Sequence, residues 1–212
     1  MRSKKKWLRN AKLYLILDAQ VNGYRELLSI LKESVDSGVD IVQLRDKQGH
    51  AKDILQFIAR ALKIIDGRIP LIVNDRVDVA LLSGADGVHV GQEDISVEDA
   101  RRILGADKII GLSCQTLSHV EKAAKQGADY VGFGSIFKTL TKPQRTPMNL
   151  SVLKRANERA AVPLFAIGGI GRKNVGALID LGVSRVAVCR DVCLAKDVSK
   201  VVAELKRHLE RQ

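Results

Sequence analysis

Basic and amide side chains at the end of one apolar segment have the chemistry of an anion-binding site. The segment Val42–Lys47 reads VQLRDK. If it is a β-strand, alternation places Gln43 and Arg45 on one face, where an arginine needs an anionic partner. The planar guanidinium suits phosphate, and an internal ion pair with an acidic residue is the alternative. Because Lys47 adds positive charge at the same place, we expect a phosphate chain to bind here.

Two aspartates, Asp75 and Asp94, follow successive apolar segments and form a candidate metal site. Carboxylates that converge repel each other unless a cation or a proton lies between them. Magnesium typically takes one or two protein carboxylates and completes its shell with water and substrate phosphate. The alternatives are a helix N-cap for Asp94 before Val97 and a salt bridge from Asp75 to Arg76. The two aspartates together predict a magnesium ion.

A glycine-rich turn and a long loop provide a second candidate anion site. The segment Ile167–Gly171 reads IGGIG, and we expect it to leave a strand and open a helix, whose first N–H groups attract anions. A loop of about fifteen residues, long enough to suggest a function, includes Phe137–Pro143. Its Thr139, Thr141 and Lys142 are candidates for closing over an anion. A mobile, solvated loop is the alternative.

Several groups that often act in catalysis do not suggest it here. We interpret His89 as a packed or capping residue rather than a base, and Cys114 as small and buried, because nothing indicates a base beside it. The chain has three cysteines and no C-x-x-C spacing, so neither a disulfide framework nor a zinc site is expected.

Short apolar segments alternate with longer amphipathic ones, which predicts a parallel β/α architecture that positions these groups. The predicted strands are Leu13–Leu17, Ile41–Leu44, Leu71–Asn74, Gly87–Val90, Ile109–Ser113, Tyr130–Phe133, Leu164–Ile167 and Arg185–Val188. The predicted helices are Arg25–Ser37, Ala51–Asp66, Arg76–Ser83, Val97–Leu104, Ser118–Gln126, Leu150–Arg159, Asn174–Leu181 and Asp197–Arg211.

A repeated glycine favours a closed barrel over a doubly wound sheet. At a predicted helix end before every second strand stands a glycine that can adopt the left-handed cap, namely Gly38, Gly84, Gly127 and Gly182. An even repeat without reversal fits closure. We therefore expect a single α/β domain, a (β/α)8 TIM barrel over residues 13–212, with its functional groups at the strand C-terminal ends.

Charge and hydropathy limit the classes of partner. The net charge is +11, and residues 1–12 contain six basic residues and no acidic one. We interpret residues 1–12 as a solvated basic tail; a nucleic-acid contact is the alternative, which we do not expect because aromatic residues do not alternate with the charges. No apolar run suggests an export signal or a membrane span, so we expect a reducing cytoplasmic compartment. The sequence is compatible with a homo-oligomer.

The sequence resembles the thiamine-phosphate synthase family over nearly the whole predicted barrel, from Tyr14 to Val188. The motifs that carry the resemblance are VQLRDK at 42–47, NDRVD at 74–78, GADGVHVGQED at 84–94, GADYVGFG at 127–134, TLTK at 139–142 and AIGGI at 166–170. The resemblance implies an enzyme that joins hydroxymethylpyrimidine diphosphate to thiazole phosphate, giving thiamine phosphate and pyrophosphate. It also implies a dissociative mechanism in which a pyrimidine carbocation is captured by the thiazole nitrogen.

The resemblance further implies roles for individual residues. The pyrimidine diphosphate would be held by Gln43, Arg45, Lys47, Asn74, Ser113 and Lys142, of which Arg45, Lys47, Ser113 and Lys142 would be catalytic. Asp75 and Asp94 would hold Mg2+. The thiazole phosphate would be held by Thr139, Thr141, Gly168, Gly169, Cys189 and Arg190.

Two segments depart from the family pattern, both in the acceptor half of the expected site. Where the family has a small segment similar to Val-Ser-Ala-Ile after the eighth strand, residues 189–192 read CRDV. Arg190 in place of the serine could bind the phosphate, fill its site or pair with Asp191. The loop at 142–150 also lacks the expected Gly-Leu pair. The alternative functions are a related thiazole tautomerase and a barrel that binds phosphate esters without catalysis; the retained aspartates, threonines and Lys142 argue against the tautomerase.

Overall fold

Parallel strands close into a barrel in the computed structural model, which describes residues 4–141 and 143–210. Within that range the eight strands are β1 (Leu13–Asp18), β2 (Ile41–Arg45), β3 (Leu71–Asn74), β4 (Gly87–Val90), β5 (Ile109–Cys114), β6 (Tyr130–Gly134), β7 (Leu164–Ile167) and β8 (Val186–Val188). Each strand pairs with the next, and β8 pairs with β1. The expected (β/α)8 barrel is confirmed.

Helices connect the strands and cover the barrel. They are α1 (Lys4–Asn10), α2 (Tyr24–Asp36), α3 (Ala51–Ile65), α4 (Val77–Ser83), α5 (Val97–Leu104), α6 (Leu117–Ala123), α7 (Leu150–Arg159), α8 (Val175–Ile179), α9 (Arg190–Cys193) and α10 (Val198–Glu210). Among the described residues no helix is long and apolar enough to span a membrane.

Most predicted boundaries agree with the structure to within one residue. Arg185 was expected in the eighth strand, but pairing with β1 begins at Val186. The sixth helix ends at Ala123 rather than Gln126, because a bond of 3.1 Å from the Gly127 N–H to the Ala124 carbonyl tightens the chain into a turn. The predicted end of the last helix at Arg211 lies outside the described residues.

The repeated glycines adopt the conformation for which they were singled out. Their φ angles lie in the left-handed region, at 100° for Gly38, 74° for Gly84, 88° for Gly127 and 79° for Gly182. A residue with a Cβ is strained in that region, so glycine lets each preceding helix end and the chain turn into the next strand.

The interpretation of residues 1–12 as a solvated tail is wrong for part of that segment. Residues 4–10 form α1, in which Leu8 is buried, and Ala11 follows it into the same apolar cluster. That cluster also contains inward-facing strand residues such as Ile41 and Ile109. The apolar side chains of α1 therefore pack against the interior of the barrel, which the basic residues around them concealed in the sequence.

Two apolar layers hold the barrel together. A large cluster lies between strands and helices, and a smaller one of inward-facing side chains fills the barrel itself. The smaller layer contains Tyr14, Tyr130 and Phe165, whose rings meet with centroids 5.4–5.7 Å apart. These aromatic rings form a solid floor beneath the strand C-terminal ends.

Candidate active site

A cavity of about 460 Å³ opens where the strands end. Its wall brings together most of the residues expected to bind substrate: Gln43, Arg45, Asn74, Ser113, Thr139, Thr141, Gly168, Gly169, Cys189 and Arg190. Lys47, Asp75 and Asp94 lie outside this lining, and Lys142 lies outside the described residues. Residues far apart in sequence thus surround one space because they lie near the C-terminal ends of the parallel strands or in the loops that follow them.

Arg45 forms the internal ion pair that the sequence left open as an alternative. Its Nη1 donates to the Asp18 carboxylate at 2.9 Å and to the Gln20 side-chain oxygen at 3.0 Å. Asp18, at the end of β1, is only 1% exposed. Nη2 of Arg45 has no hydrogen-bond partner among the described residues. The guanidinium can therefore still donate to an anion in the cavity.

Lys47 and the two aspartates lie at the ends of three neighbouring strands. Lys47 Nζ lies 2.8 Å from the Asp75 carboxylate, and Asp94 accepts the Gly91 N–H at 2.8 Å. Both alternatives for the aspartates are wrong: Arg76 pairs with Asp78, and the N-cap of α5 is Ser96. Each aspartate keeps a carboxylate oxygen without a hydrogen bond to the described residues.

The donor set at this edge fits a hard divalent cation. Among the described residues no group of three or more His, Cys, Asp or Glu could hold a metal ion. Two carboxylates in the segments that follow the adjacent strands β3 and β4 nevertheless match the preference of magnesium, which takes its other ligands from water and phosphate. The fit therefore depends on oxygen atoms that a phosphorylated substrate would bring.

A chain of hydrogen bonds crosses the floor of the cavity. Gln43 Nε2 donates to the Tyr14 hydroxyl at 2.8 Å, and that hydroxyl lies 2.8 Å from the Tyr130 hydroxyl. His89 Nδ1 lies 3.0 Å from Tyr130, and its Nε2 lies 3.0 Å from Ser113 Oγ. The interpretation of His89 as a packed residue is confirmed by its burial.

One assignment of donors and acceptors satisfies every bond in this chain. Because an amide N–H only donates, Tyr14 accepts from Gln43 and can donate to Tyr130, which can donate to His89. Burial raises the pKa of both tyrosines, so each hydroxyl keeps its proton at neutral pH. With its proton on Nε2, His89 donates to Ser113, whose own proton stays available to a ligand.

A glycine makes this contact possible. Strand register places Gly111 of β5 between His89 and Tyr130, at the same height in the barrel. A Cβ at Gly111 would collide with the Tyr130 ring and with the His89 imidazole. The missing side chain therefore lets the two rings meet across β5.

The glycine-rich turn lines the cavity without being a helix N-terminus. Gly168 and Gly169 have φ angles of 106° and 64°, and α8 begins only at Val175. The expectation that the turn opens a helix is therefore wrong, because residues 171–174 form a separate turn closed by Asn174, whose side chain accepts the Gly171 N–H at 2.9 Å. A Cβ at Gly168 would meet Ser135, so only glycine fits against the loop after β6.

Arg190 opens the short helix α9 and faces the cavity. The alternative in which it pairs with Asp191 is wrong, because Asp191 accepts the backbone N–H of Arg172 at 2.8 Å and pairs with its side chain at 3.2 Å. Arg190 makes no side-chain hydrogen bond or ion pair within the described residues. Its charge joins others of the same sign in the cavity wall: Arg45, Lys138, Arg145, Arg172 and Lys173.

Sequence reasoning missed several polar groups of this cavity. Asp18 ends β1, Tyr14 is the second residue of β1 and Tyr130 begins β6, positions where a tyrosine or a single acid attracts no notice. The signal available was that Asp18 and Tyr130 place polar groups at the bounds of apolar runs. Asn74 was found, and its Nδ2 is buried without a hydrogen-bond partner among the described residues, as expected of a donor that a ligand would satisfy.

Comparisons with known proteins agree with this geometry. Residues 13–192 match a protein family described as thiamine monophosphate synthase. The chain is 37% identical over 208 residues to a thiamine-phosphate synthase of Halalkalibacterium halodurans, covering 97% of this chain and 98% of the relative. It is 39% identical to that of Shouchella clausii, covering 94% and 96%. A solved thiamine phosphate pyrophosphorylase of Pyrococcus furiosus superimposes with a TM-score of 0.86 at 32% identity, covering 97% of each chain.

Proposed function

The chain belongs to the thiamine monophosphate synthase family, and from that premise we propose how its cavity performs the reaction. The activity is the joining of 4-amino-2-methyl-5-hydroxymethylpyrimidine diphosphate to 4-methyl-5-(2-phosphoethyl)thiazole, giving thiamine phosphate and pyrophosphate. The observation that carries the proposal is the convergence of ten expected binding residues on one cavity. We place the enzyme in the cytoplasm, which suits its three free thiols.

The diphosphate half of the site neutralises a leaving group. The C–O bond to the pyrimidinylmethyl carbon breaks, diphosphate keeps the electron pair, and the thiazole nitrogen supplies the pair for the new C–N bond. Arg45, Lys47, Asn74 and Ser113 donate to diphosphate oxygens, with Lys142 joining them from the loop. No protein nucleophile is needed, and burial raises the pKa of the nearby Cys114 thiol to about 12, which keeps it protonated.

Magnesium completes this half of the site. Asp75 and Asp94 would hold the ion, whose positive charge would offset the charge that develops on the departing diphosphate. Lys47 bonds Asp75, so the lysine charge and the carboxylate are held next to each other at the rim. The aspartates would thereby position positive charge beside the diphosphate, and the substrate would supply further oxygen ligands.

The aromatic floor of the cavity suits the pyrimidine ring, and the wall opposite Arg45 suits the thiazole phosphate. Gln43 is held by Tyr14 and presents an amide to a planar, nitrogen-containing pyrimidine, and the aromatic floor excludes water from the carbon that reacts. Thr139, Thr141, Gly168, Gly169, Cys189 and Arg190 would hold the thiazole phosphate on the opposite wall.

Product identification tests the proposal. The purified protein is incubated with both substrates and Mg2+, and the products are separated by chromatography and identified by mass spectrometry. We expect thiamine phosphate and one equivalent of pyrophosphate. Binding of both substrates without product would favour the non-catalytic phosphate-ester barrel, and conversion of a thiazole tautomer alone would favour the tautomerase; either result contradicts the proposal.

A further inference from the structure

Two cysteines lie one helical turn apart at the edge of the cavity. Cys189 precedes α9 and lines the cavity, whereas Cys193 in α9 is buried. The Cys193 N–H donates to the Cys189 carbonyl at 2.9 Å, so both residues lie on the same side of the turn. Cys189 begins the segment 189–192 that departs from the family pattern, and Cys193 follows that segment directly.

The surroundings separate these two thiols from the third cysteine. Cys193 Sγ contacts the carbonyl of Ile16 at 3.5 Å, and the pair lies near both the Arg190 guanidinium and the Asp18 carboxylate. Cys114 of β5 also lines the cavity but is 1% exposed, whereas Cys189 is half-buried. A reagent that enters the cavity therefore meets Cys189 first, with Cys193 directly behind it.

We propose that Cys189 and Cys193 form a redox modification site, which a low-molecular-weight disulfide oxidises to an intramolecular disulfide. Once the pair has lost one proton and the remaining proton lies on Cys193, the Cys189 sulfur attacks one sulfur of the reagent RSSR, forming a mixed disulfide and releasing one RSH. Cys193 then attacks the Cys189 sulfur and releases the second RSH. The protein loses two thiol hydrogens and two electrons, and the reagent is reduced to two thiols.

The disulfide must change the shape of the part of the cavity wall that would hold the thiazole phosphate. Residues one turn apart have Cβ atoms about 5–6 Å apart, whereas a disulfide requires about 3.5–4.5 Å. The approach must come from the start of α9, where Cys189 lies outside helical geometry at φ −134° and ψ −84°. A shift there moves the Cys189 thiol and the neighbouring Arg190, so we expect oxidation to weaken thiazole phosphate binding; this consequence rests on the proposed function.

Peptide mapping tests the site independently of activity. Trypsin cleaves after Arg185, Arg190 and Lys196, which places the two cysteines on separate peptides, VAVCR and DVCLAK. The full-length protein is treated with oxidised glutathione, its remaining thiols are alkylated, and the digest is analysed by mass spectrometry without reduction. We expect the two peptides to be linked and Cys114 to be alkylated.

Two serine variants test whether the disulfide forms between these two cysteines. Cys114→Ser should form the same linked pair, while Cys193→Ser should stop at a glutathione adduct on Cys189. If the unsubstituted protein also stops at that adduct, or if Cys114 is oxidised instead, the proposed site is wrong.

Kinetics of the same samples test the consequence. We expect the linked protein to show a thiazole phosphate KM raised about tenfold or more and restored by dithiothreitol, with the pyrimidine diphosphate KM little changed. If the linked protein has an unchanged thiazole phosphate KM, the expectation that oxidation weakens thiazole phosphate binding is wrong. If the link forms while the reduced and oxidised proteins are both inactive, the proposed function has failed and the modification site stands.

Discussion

At the residue scale, the two described basic groups expected to bind the diphosphate, Arg45 and Lys47, are paired with carboxylates. Arg45 is bonded to the buried Asp18, and Lys47 to the rim carboxylate Asp75. A buried carboxylate that loses its partner is costly, by about 3–5 kcal/mol, so Asp18 fixes Arg45 in place as much as it neutralises it. The spare donors of these groups, rather than unpaired charges, are therefore what the structure offers to a diphosphate.

Substitution of the rim aspartates tests the metal. Asp75→Asn and Asp94→Asn should lower turnover by on the order of 100-fold or more, because a bound cation contributes several kcal/mol of charge stabilisation. Asparagine is chosen since Asp75 has a φ of 60°, a conformation that would cost alanine about 1–2 kcal/mol. Melting temperatures should stay within a few degrees, measured by circular dichroism. Full activity of the parent enzyme in a chelator would remove the metal from the mechanism.

Arg190 is the residue at which this chain departs most from its family. Arg190→Ala should raise the thiazole phosphate KM roughly 10- to 100-fold, because charge-assisted hydrogen bonds contribute about 1.5–3 kcal/mol. Arg190→Ser should recover part of that loss through a neutral hydrogen bond. The pyrimidine diphosphate KM should stay nearly constant, and steady-state kinetics with each substrate varied separately measure both values. If Arg190→Ala lowers the thiazole phosphate KM, the arginine obstructs the site instead.

From the sequence, some of the residues that line the cavity could be predicted, while their binding roles stay predictions. Gln43, Arg45 and Asn74 were identified because polar side chains at the end of a parallel strand have few structural roles. The partner of Arg45 was not identified, since Asp18 looks like an ordinary strand end until β1 and β2 are paired in register. The bond from Tyr14 to Tyr130 depends on barrel closure, which brings the distant strands β1 and β6 together, and the bond from His89 to Ser113 depends on the register of β4 with β5. No local pattern contains either.

At the element scale, α1 makes a specific contribution to stability. Leu8 is 3% exposed within the inner apolar cluster, so Leu8→Ala should destabilise the fold by about 2–4 kcal/mol. Arg9→Ala in the same helix removes an exposed side chain and should change stability by less than about 0.5 kcal/mol. Urea denaturation measures both free energies of unfolding. Equal, small effects would mean that α1 does not stabilise the barrel.

The strands, which have a clear apolar pattern, were predicted well from the sequence. The turn after β7 and the helix α1 were not. The strands are short apolar runs covered on both faces, so their bounds were clear. The turn after β7 was mistaken for a helix start because the bond from Gly171 to Asn174 closes a turn before Val175. In α1 the apolar contacts of Leu8 were hidden by its basic neighbours.

At the scale of the whole molecule, positive charge is concentrated at the cavity. Its wall carries six basic side chains against one acidic residue, Asp191, among the described residues. A field of this sign should steer anionic substrates toward the barrel mouth and should weaken as salt shortens the screening length from about 10 Å at 0.1 M to about 3 Å at 1 M. We therefore expect the value of kcat/KM to depend on ionic strength.

Raising NaCl from 0.05 to 0.5 M at fixed Mg2+ should lower kcat/KM for the pyrimidine diphosphate roughly 3- to 10-fold. The value of kcat should change less than about twofold, because salt screens the charges that act on substrate encounter and binding. Lys138→Gln at the cavity wall should reduce the salt dependence. Lys63→Gln, an exposed substitution near the end of α3 before β3 begins, removes the same charge from the opposite end of the barrel and should leave it unchanged. Initial rates of pyrophosphate release measure the three proteins, and circular dichroism at each salt concentration verifies that they remain folded. If Lys63→Gln and Lys138→Gln alter the salt dependence equally, net charge rather than its placement at the cavity governs substrate capture.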